Sequence, residues 1–544
     1  MYTDLIEPEV AKTGDFTLKY KNVYLHSKYN PKREAQQFIE KHYNNASVQI
    51  LIGYGAGYIY KALQKRIDKN EKIIVIDPII EPNEDVFYLK SYDSKSIKHF
   101  LDEHIHLIDT VNCIVSINYD KIIAESDELE RFIKILREKI SSNTISENTI
   151  TFFNSQWNKN YLKNLKYAYT SKSIKDLFSE KDIPVVVASG GPSLTKQLPF
   201  VKKYRNKIIL VAAGTTINSL LKNNIRPDLV VSVDGGEINY NHFKELQIED
   251  FPLVYCPTLH YGIRSHFKYA YHCFLTLEES LIPHYELFTE QPVDTLIGGS
   301  SVAHTAYNLA LFLTKGPVAL IGQDLAYTNG KSHAEGNLNR NTITNKELLV
   351  REGYYGEDVE TDSVFLQMRA GFEMIQENMK AYDKSYNCTE GGLKIPTFKQ
   401  MRFQDFLENY AKKEADINYK YEIVDSKHEK CQNQFKIDVE KHNRLIELFN
   451  EALNELNKNE ERTYFSAEIL KKLEEIDGEI QEKLKESSLS YAFNLVNLRV
   501  LRYFKLSKEA TLEEKYKMSF KQSEYMYSEM LNITTESLKI IQEL

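Results

Sequence analysis

The segment ASGGPSL at residues 188–194 carries residue types suited to holding a phosphate group. It follows the apolar run VVV, which predicts a strand, and precedes a stretch compatible with a helix. Its two glycines permit a tight turn and close backbone approach, and the proline and serine after them suit a helix start. Free N–H groups at a helix N-terminus bind anions. The candidate contacts are Ser189, Gly190, Gly191, Pro192 and Ser193. Taken in isolation, the motif is equally typical of an ordinary strand-to-helix turn.

Four further predicted strands end in glycines, hydroxyls or polar side chains: AAGTT at 212–216, SVDGG at 232–236, GGSS at 298–301 and IGQDLAY at 321–327. Because α/β sheets bind ligands beyond the carboxyl ends of their parallel strands, we expect these residues to line one pocket for a polar, phosphate-bearing ligand. The loop NCTEGGLKIP at 387–396 is expected to close this pocket. The additional candidate contacts are Gly214, Thr215, Thr216, Gly235, Gly299, Ser300, Ser301, Gln323, Tyr327, Thr389, Glu390 and Gly391.

Three side chains are candidates for acid–base chemistry. Asp324 and Asp234 each end a predicted strand, and His333 lies in the polar loop that follows Asp324. A histidine or carboxylate can take a proton from a hydroxyl group near neutral pH, and Asp234 is equally placed to hold a sugar hydroxyl. His260, at another strand end, is a secondary candidate, whereas His304 is expected to pack or to cap a helix.

A second glycine-rich segment, GYGAG at 53–57, follows the apolar run VQILI. Asp77 ends the next predicted strand about twenty residues later, as in nucleotide-binding fingerprints. The alternative is an α/β unit in which these glycines serve only close packing. Because the glycine motif stands alone, this alternative is favoured over nucleotide binding. Two other similarities are rejected, because NGKS at 329–332 lacks the earlier glycine of a P-loop and GGSS lacks the serine elbow of hydrolases.

Three regions of different pattern must position these residues. Residues 1–150 predict an N-terminal α/β domain, and residues 151–404 contain the continuous apolar runs typical of buried parallel strands. Residues 405–544 contain one glycine and no proline, with apolar residues at helical spacing that either pack or bind a partner. The predicted fold class is α/β: a Rossmann-like central domain, a smaller N-terminal α/β domain and a C-terminal α-helical domain.

The composition excludes several classes of protein. Of the 544 residues, 42% are hydrophobic and 12% aromatic, which argues against disorder. A formal net charge of −8 argues against coating nucleic acid or an anionic membrane. Five scattered cysteines without a CxxC indicate neither a zinc site nor a disulfide framework. With no signal pattern and no apolar run near the roughly 20 residues that span a bilayer, we expect a cytoplasmic protein that neither inserts into membranes nor binds nucleic acid.

The central segments occur in a specific order over about residues 180–400: ASGGPSL, AAGTTINSLLKNNIRPDLVVSVDG, GGSSVAHTA, IGQDLAYTNGKSHAEG and NCTEGGLKIP. In this combination the chain resembles the motility accessory factor (Maf) family, the flagellin glycosyltransferases of flagellated bacteria. The resemblance implies transfer of a nonulosonic acid, pseudaminic or legionaminic, from its CMP derivative to Ser or Thr of flagellin. It therefore implies flagellin and the CMP-sugar as partners, and a role in flagellum assembly and motility.

The central region is also similar to bacterial sialyltransferases, which share a glycine–proline–serine turn, here at 190–193, and a serine-bearing strand end, here Ser300. Those enzymes need no divalent metal, so we expect no metal and no other cofactor; the chain likewise offers no convincing Asp-x-Asp pair. They place a catalytic histidine in a later loop, where this chain has GYYGEDVETD. The general base is therefore open between His333, Glu357 and Asp358, and inversion at the anomeric carbon is expected by analogy.

Two other functions remain open. Archaeal pyrophosphokinases of pterin biosynthesis share this central domain, although their chains are short. A non-enzymatic factor that binds flagellin through the helical region is the third possibility. Release of CMP from a CMP-sugar, or of AMP from ATP plus pterin, would separate them.

Overall fold

The computed structural model describes residues 6–69, 71–82, 86–106, 109–327, 348–415, 417–423, 428–459, 462–504 and 510–544, without the side chains of 141–142, 144–155, 277 and 501–503. The chain forms two compact units. The first contains Met1–Phe152, Leu453–Leu470 and Leu495–Tyr527, and the second contains Phe153–Ala452, Lys471–Asn494 and Ser528–Leu544. The domain boundaries at 150 and 404 stay predictions.

The N-terminal part contains two small sheets with helices. Its elements are β1 (Ile6–Val10), β2 (Phe16–Tyr20), β3 (Val23–Tyr24), α1 (Pro31–His42), β4 (Val48–Ile52), α2 (Tyr58–Arg66), β5 (Lys72–Ile76), β6 (Phe87–Tyr88), α3 (Ser94–His104), β7 (Val111–Val115), α4 (Tyr119–Ile123) and α5 (Asp127–Leu165). The first three strands form an antiparallel sheet, and the others form a parallel sheet in the order β6-β5-β4-β7. The predicted strand VQILI is β4, and all five of its residues are buried.

The central part is built on one large parallel sheet. Its elements are β8 (Lys172–Ser173), β9 (Val185–Ala188), α6 (Leu194–Lys203), β10 (Ile209–Ala213), α7 (Thr216–Lys222), β11 (Leu229–Ser232), α8 (Glu237–Asn241), β12 (Leu253–Tyr255), α9 (Tyr261–Arg264), β13 (Ala270–His272), β14 (Phe274–Leu275), α10 (Ile282–Thr289), β15 (Thr295–Leu296), α11 (Val302–Leu313), β16 (Val318–Ile321), β17 (Leu349–Glu352), β18 (Asp358–Thr361), α12 (Ser363–Asn378), β19 (Ser385–Asn387), β20 (Lys399–Gln400) and α13 (Phe403–Tyr410). Among the described residues, nine strands pair in the order β20-β19-β16-β9-β10-β11-β12-β13-β8.

Alternate residues of each central strand enter the hydrophobic cores on opposite faces of this sheet. Val185 and Val187 pack on the face that α11 covers, whereas Val186 and Ala188 pack on the face that α6 covers. Burial on both faces explains the continuous apolar runs in the sequence.

The order of the strands reverses at β9. The chain runs from β9 through β10, β11 and β12 to β13, and it later returns to β16 on the other side of β9. Ala188 at the end of β9 lies opposite Ile321 at the end of β16, so ASGGPSL and IGQDLAY leave the sheet side by side. Such a topological switch point is where open α/β sheets form a ligand crevice.

The C-terminal region is helical, with α14 (His428–Asn457), α15 (Ala467–Leu484), α16 (Ser490–Tyr503) and α17 (Leu512–Gln542). Within the second unit, His284 on α10 lies 2.9 Å from an Asp438 oxygen on α14, and both side chains are buried. The α/β fold class, with a large parallel sheet and a helical C-terminal region, is confirmed. None of the helices in the described ranges is both long and apolar enough to cross a membrane.

Candidate functional site

The glycine turn after β9 is held against the end of β16 by backbone hydrogen bonds. The Ser189 N–H donates to the Ile321 carbonyl at 2.9 Å, and the Gly191 N–H donates to the Gly322 carbonyl at 2.8 Å. A Cβ atom at Gly191 would collide with the Asp324 carboxylate and the Gly322 carbonyl. The turn therefore requires glycine because two strand ends and an acidic side chain meet there.

The Asp324 carboxylate lies at the N-terminus of α6. Its Oδ2 accepts a hydrogen bond of 2.7 Å from the Ser193 hydroxyl, and its two oxygens lie 3.2 and 3.3 Å from the Ser193 N–H. Burial raises the pKa of Asp324 to about 6, and the hydrogen bonds from Ser193 oppose that increase. The position predicted for a phosphate group is thus next to a carboxylate that already uses one of the helix donors.

Two buried polar atoms beside this turn have no hydrogen-bond partner within the described protein. They are the Ser189 hydroxyl oxygen and the Gln323 side-chain oxygen. Ser189 is only 6% exposed and directly follows β9. Gln323 is 7% exposed and lies two residues after the end of β16. Since buried polar groups are almost always satisfied, these atoms are suited to a bound ligand or solvent.

The loop after β19 lies against the same turn. The Thr389 hydroxyl accepts a 3.3 Å hydrogen bond from the Gln323 N–H. A Cβ atom at Gly391 would lie 3.9 Å from Asp324 Oδ1 and from the Ser193 Cβ. Glu390 instead accepts a hydrogen bond of 3.0 Å from the Phe403 N–H, at the start of α13. The structure therefore brings Thr389 and Gly391 to the switch point and turns Glu390 toward α13.

The ends of β10 and the start of α11 are also neighbours. A Cβ atom at Gly214 would lie 3.0 Å from the Val302 side chain, so AAGTT and GGSS meet. The Ser301 hydroxyl caps α11 by accepting from the Ala303 N–H, while Gly299 and Ser300 are exposed and Thr216 is buried.

His304 is a packed capping residue. Its Nδ1 accepts from the Ser301 N–H, and its Nε2 lies 2.7 Å from the Met368 carbonyl, to which it donates. The side chain is fully buried, which lowers its pKa to about 4. Both ring nitrogens are used in holding the helix, as expected from the sequence.

A second cluster lies at the ends of β11 and β12. Asp234 is exposed, its carboxylate accepts from the Gly236 N–H at 2.8 Å, and its carbonyl lies 3.4 Å from the His260 N–H. His260 Nδ1 accepts from the Gly262 N–H, so its Nε2 carries the proton and donates to Glu237 at 3.0 Å. Burial lowers the pKa of His260, and Glu237 opposes this change.

Glu237 was missed by the sequence reasoning. Its side chain is 68% exposed beside the buried His260 ring, which also stacks on Tyr240 at a centroid distance of 4.6 Å. The available signal was its position three residues after Asp234, at the first position of α8. Gly235 lies behind the cluster, where a Cβ atom would collide with Asn160, Trp157 and the Thr258 carbonyl.

Two other predicted residues are engaged in local structure. The Tyr327 hydroxyl donates to Asp362, the N-cap of α12, at 2.7 Å. Glu357 is exposed between β17 and β18, and its carboxylate accepts from the Tyr355 N–H at 2.8 Å. This hairpin reaches the switch point through Leu393, which bridges to Gly353 and donates from its N–H to the Asp324 carbonyl. His333 lies outside the described residues.

The glycine-rich turn of the N-terminal part is filled by its own side chains. Asp77 accepts hydrogen bonds from the Tyr54 N–H at 2.8 Å and from the Tyr119 hydroxyl at 2.6 Å. Cβ atoms at Gly53 and Gly55 would collide with the Tyr119 and His26 rings, respectively. A nucleotide phosphate does not fit this turn, which supports the packing interpretation of GYGAG.

A surface recess of about 580 Å³ lies near the Glu390 loop. It is lined by Tyr354, Gln400, Met401, Arg402, Asp405, Glu408 and Asn409. In the described ranges, no group of three or more His, Cys, Asp or Glu side chains is arranged to hold a metal ion.

Comparisons with known proteins agree with this architecture. Residues 159–330 match the family model described as 6-hydroxymethylpterin diphosphokinase MptE-like, which covers the glycine turn and the ends of β9 to β16. The solved structure of MAf glycosyltransferase from Magnetospirillum magneticum AMB-1 is similar with a TM-score of 0.53 and 14% sequence identity, over 99% of this chain and 92% of that chain. The chain has no significant sequence match among curated proteins. The likeness to the solved structure shows that the two chains share a fold.

Proposed function

We propose that the protein is a glycosyltransferase that moves a nonulosonic acid, of pseudaminic or legionaminic type, from its CMP derivative to Ser or Thr of flagellin. The observation that carries this proposal lies at the switch point, where the buried Ser189 and Gln323 side-chain oxygens have no hydrogen-bond partner among the described residues. Support comes from the fold shared with a protein described as a glycosyltransferase over almost the whole chain. The motif resemblance supplies the class of donor and acceptor.

Each part of the edge has a role in this proposal. The Ser189 and Thr389 hydroxyls donate to the nucleotide phosphate, which acquires charge as its bond to the sugar breaks; hydrogen-bond donors stabilise that charge without a metal. The Gln323 side-chain oxygen accepts from an N–H or O–H group of the CMP-sugar. Asp234 accepts from sugar hydroxyls, since its carboxylate is exposed beyond β11. The acceptor hydroxyl loses its proton to a general base, for which His333, Glu357 and Asp358 stay candidates.

The test is transfer with purified components. The protein is incubated with a CMP-nonulosonic acid and purified flagellin, and CMP release is measured together with the mass of flagellin peptides. We expect a mass increase of one sugar on Ser- or Thr-containing peptides. Gln323→Leu is expected to reduce transfer strongly, whereas Gln247→Leu, at an exposed position, retains it. CMP release without modification of flagellin would refute flagellin as the acceptor. Absence of CMP release would refute the CMP-nonulosonic acid as the donor.

The second candidate function is pyrophosphate transfer to 6-hydroxymethylpterin. It is favoured by the family match over residues 159–330, which includes the glycine turn and Asp324. Incubation with ATP and the pterin, followed by measurement of AMP, tests it directly. Formation of AMP, with no reaction of a CMP-sugar, would replace the glycosyltransferase proposal.

A further inference from the structure

The N-terminus of α6 already holds a negative charge. The Asp324 carboxylate accepts from both the N–H and the hydroxyl of Ser193, and it is only 3% exposed. A phosphate group bound to the same turn would place two anions in one buried space, where their repulsion is weakly screened. The site can admit a phosphate only if the carboxylate moves away or becomes neutral. Movement of the Asp324 residue is opposed because its backbone carbonyl accepts a hydrogen bond of 2.7 Å from the Leu393 N–H.

We propose that Asp324 is protonated when the donor binds, and that its carboxyl O–H donates a hydrogen bond to an oxygen of the donor phosphate. This role rests on the proposed function and deepens it. The side-chain oxygens of Ser189 and Gln323, both more than nine-tenths buried, have no partner in the part of the chain that the structure describes, and a ligand bound beside this helix terminus would supply one. The same proton then lies where the phosphate of CMP gains charge during transfer.

The balance of the reaction follows. The acceptor oxygen forms the new bond to the anomeric carbon, and the electron pair of the sugar–phosphate bond goes to the phosphate oxygen. The acceptor proton goes to the general base. The proton on Asp324 enters from solvent when the donor binds and returns to solvent when CMP leaves, so Asp324 makes no net change in protons over the cycle.

The charges around Asp324 are consistent with proton uptake. Lys196 on α6 favours the ionised form, and the Ser193 hydrogen bonds do so as well. Glu390, in the loop from β19, is turned toward α13, where it accepts from the Phe403 N–H and lies 3.9 Å from Arg402. Burial outweighs the favourable contacts and raises the pKa of Asp324 to about 6, and the charge of a bound phosphate raises it further, above the range from pH 6 to pH 8, so that the group is neutral in the complex at pH 7.

The experiment measures proton uptake by calorimetry. The probe is the methyl ester of CMP, because CMP itself titrates near pH 6, whereas the phosphodiester carries one constant charge. Titrations at pH 7 in buffers of different ionisation enthalpy should show uptake of about one proton. Affinity of the wild-type protein should fall about fifty-fold between pH 6 and pH 8, because protonation costs a factor of ten per pH unit above the pKa.

The neutral variant Asp324→Asn tests the assignment. It retains an oxygen to accept from Ser193 and gains an N–H₂ donor for the phosphate, so it should bind the ester equally at pH 6 and pH 8, without proton uptake. Asp383→Asn is the matched control, because Asp383 is fully exposed and precedes the first residue of β19. It therefore lies at the amino ends of the strands, whereas Asp324 lies at their carboxyl ends. It should keep the wild-type pH dependence.

Three outcomes are decisive. Wild-type affinity that is constant from pH 6 to pH 8, or proton uptake that persists in Asp324→Asn, would overturn the role of Asp324 while leaving the donor class standing. Absence of ester binding at both pH values would overturn the donor class and this role together.

Discussion

Replacement of Ser189 by alanine separates a ligand contact from a structural one. The Ser189 hydroxyl oxygen is buried at the end of β9 and has no partner within the described protein. If a ligand supplies that partner, Ser189→Ala should weaken ligand binding without destabilising the fold. A structural hydroxyl would show the reverse pattern.

The magnitudes follow from the burial of this side chain. Leaving a buried polar group unsatisfied costs about 1–3 kcal/mol, which the alanine variant avoids, while the small void it leaves has an opposing cost of about 1 kcal/mol. The free energy of unfolding should therefore stay unchanged or rise by up to about 2 kcal/mol. A neutral hydrogen bond to the ligand contributes about 0.5–1.5 kcal/mol, so CMP affinity should fall about two- to tenfold.

Calorimetry of CMP binding and urea unfolding are the two assays, at the same pH and salt concentration. Ser219→Ala is the matched control, because the Ser219 hydroxyl is also buried without a partner among the described residues but lies on α7. It should leave CMP affinity unchanged. Equal CMP affinity in wild type and Ser189→Ala, or an equal loss in both variants, would refute the placement of the ligand at Ser189.

Three further predictions concern charge. Burial raises the pKa of Asp324 from 3.8 to about 6, so its contribution to stability is complete below pH 3.8 and is lost as the pH rises through 6. In urea unfolding, Asp324→Asn should remove about 3 kcal/mol of this pH dependence. An unchanged pH profile in the variant would contradict the burial argument. Asp438→Ala should cost about 3 kcal/mol of unfolding free energy because it leaves the buried Nε2 atom of His284 without its partner. Lys430→Ala, which breaks an exposed ion pair, should cost less than about 1 kcal/mol, and similar losses in the two variants would show that burial does not matter here. Excess EDTA should leave transfer activity unaltered, and a loss that magnesium or manganese restores would show that a metal takes part.

Much of the architecture is readable from local sequence. The runs VVVA, ILVAA, LVVS and VALI predict buried strands because both faces of a parallel sheet are covered, and the structure places them as β9, β10, β11 and β16. The glycines and hydroxyls that follow them meet at one edge, since parallel strands end on the same side. Strand type and strand-end chemistry are properties of short segments, so the sequence determined them.

The pairing of side chains was decided by tertiary structure. Asp324 and Ser193 are 131 residues apart, and no local pattern predicts that a carboxylate would cap α6 rather than a phosphate. In the same way, the sequence does not show that Asp77 fills its own glycine turn, or that Glu237 meets His260. Such contacts depend on the order and register of the strands, which bring distant segments within hydrogen-bond range. The sequence by itself therefore determined that the glycines, hydroxyls and acids lie at one edge of the sheet, and only the fold decided which of those polar groups are paired within the described part of the protein.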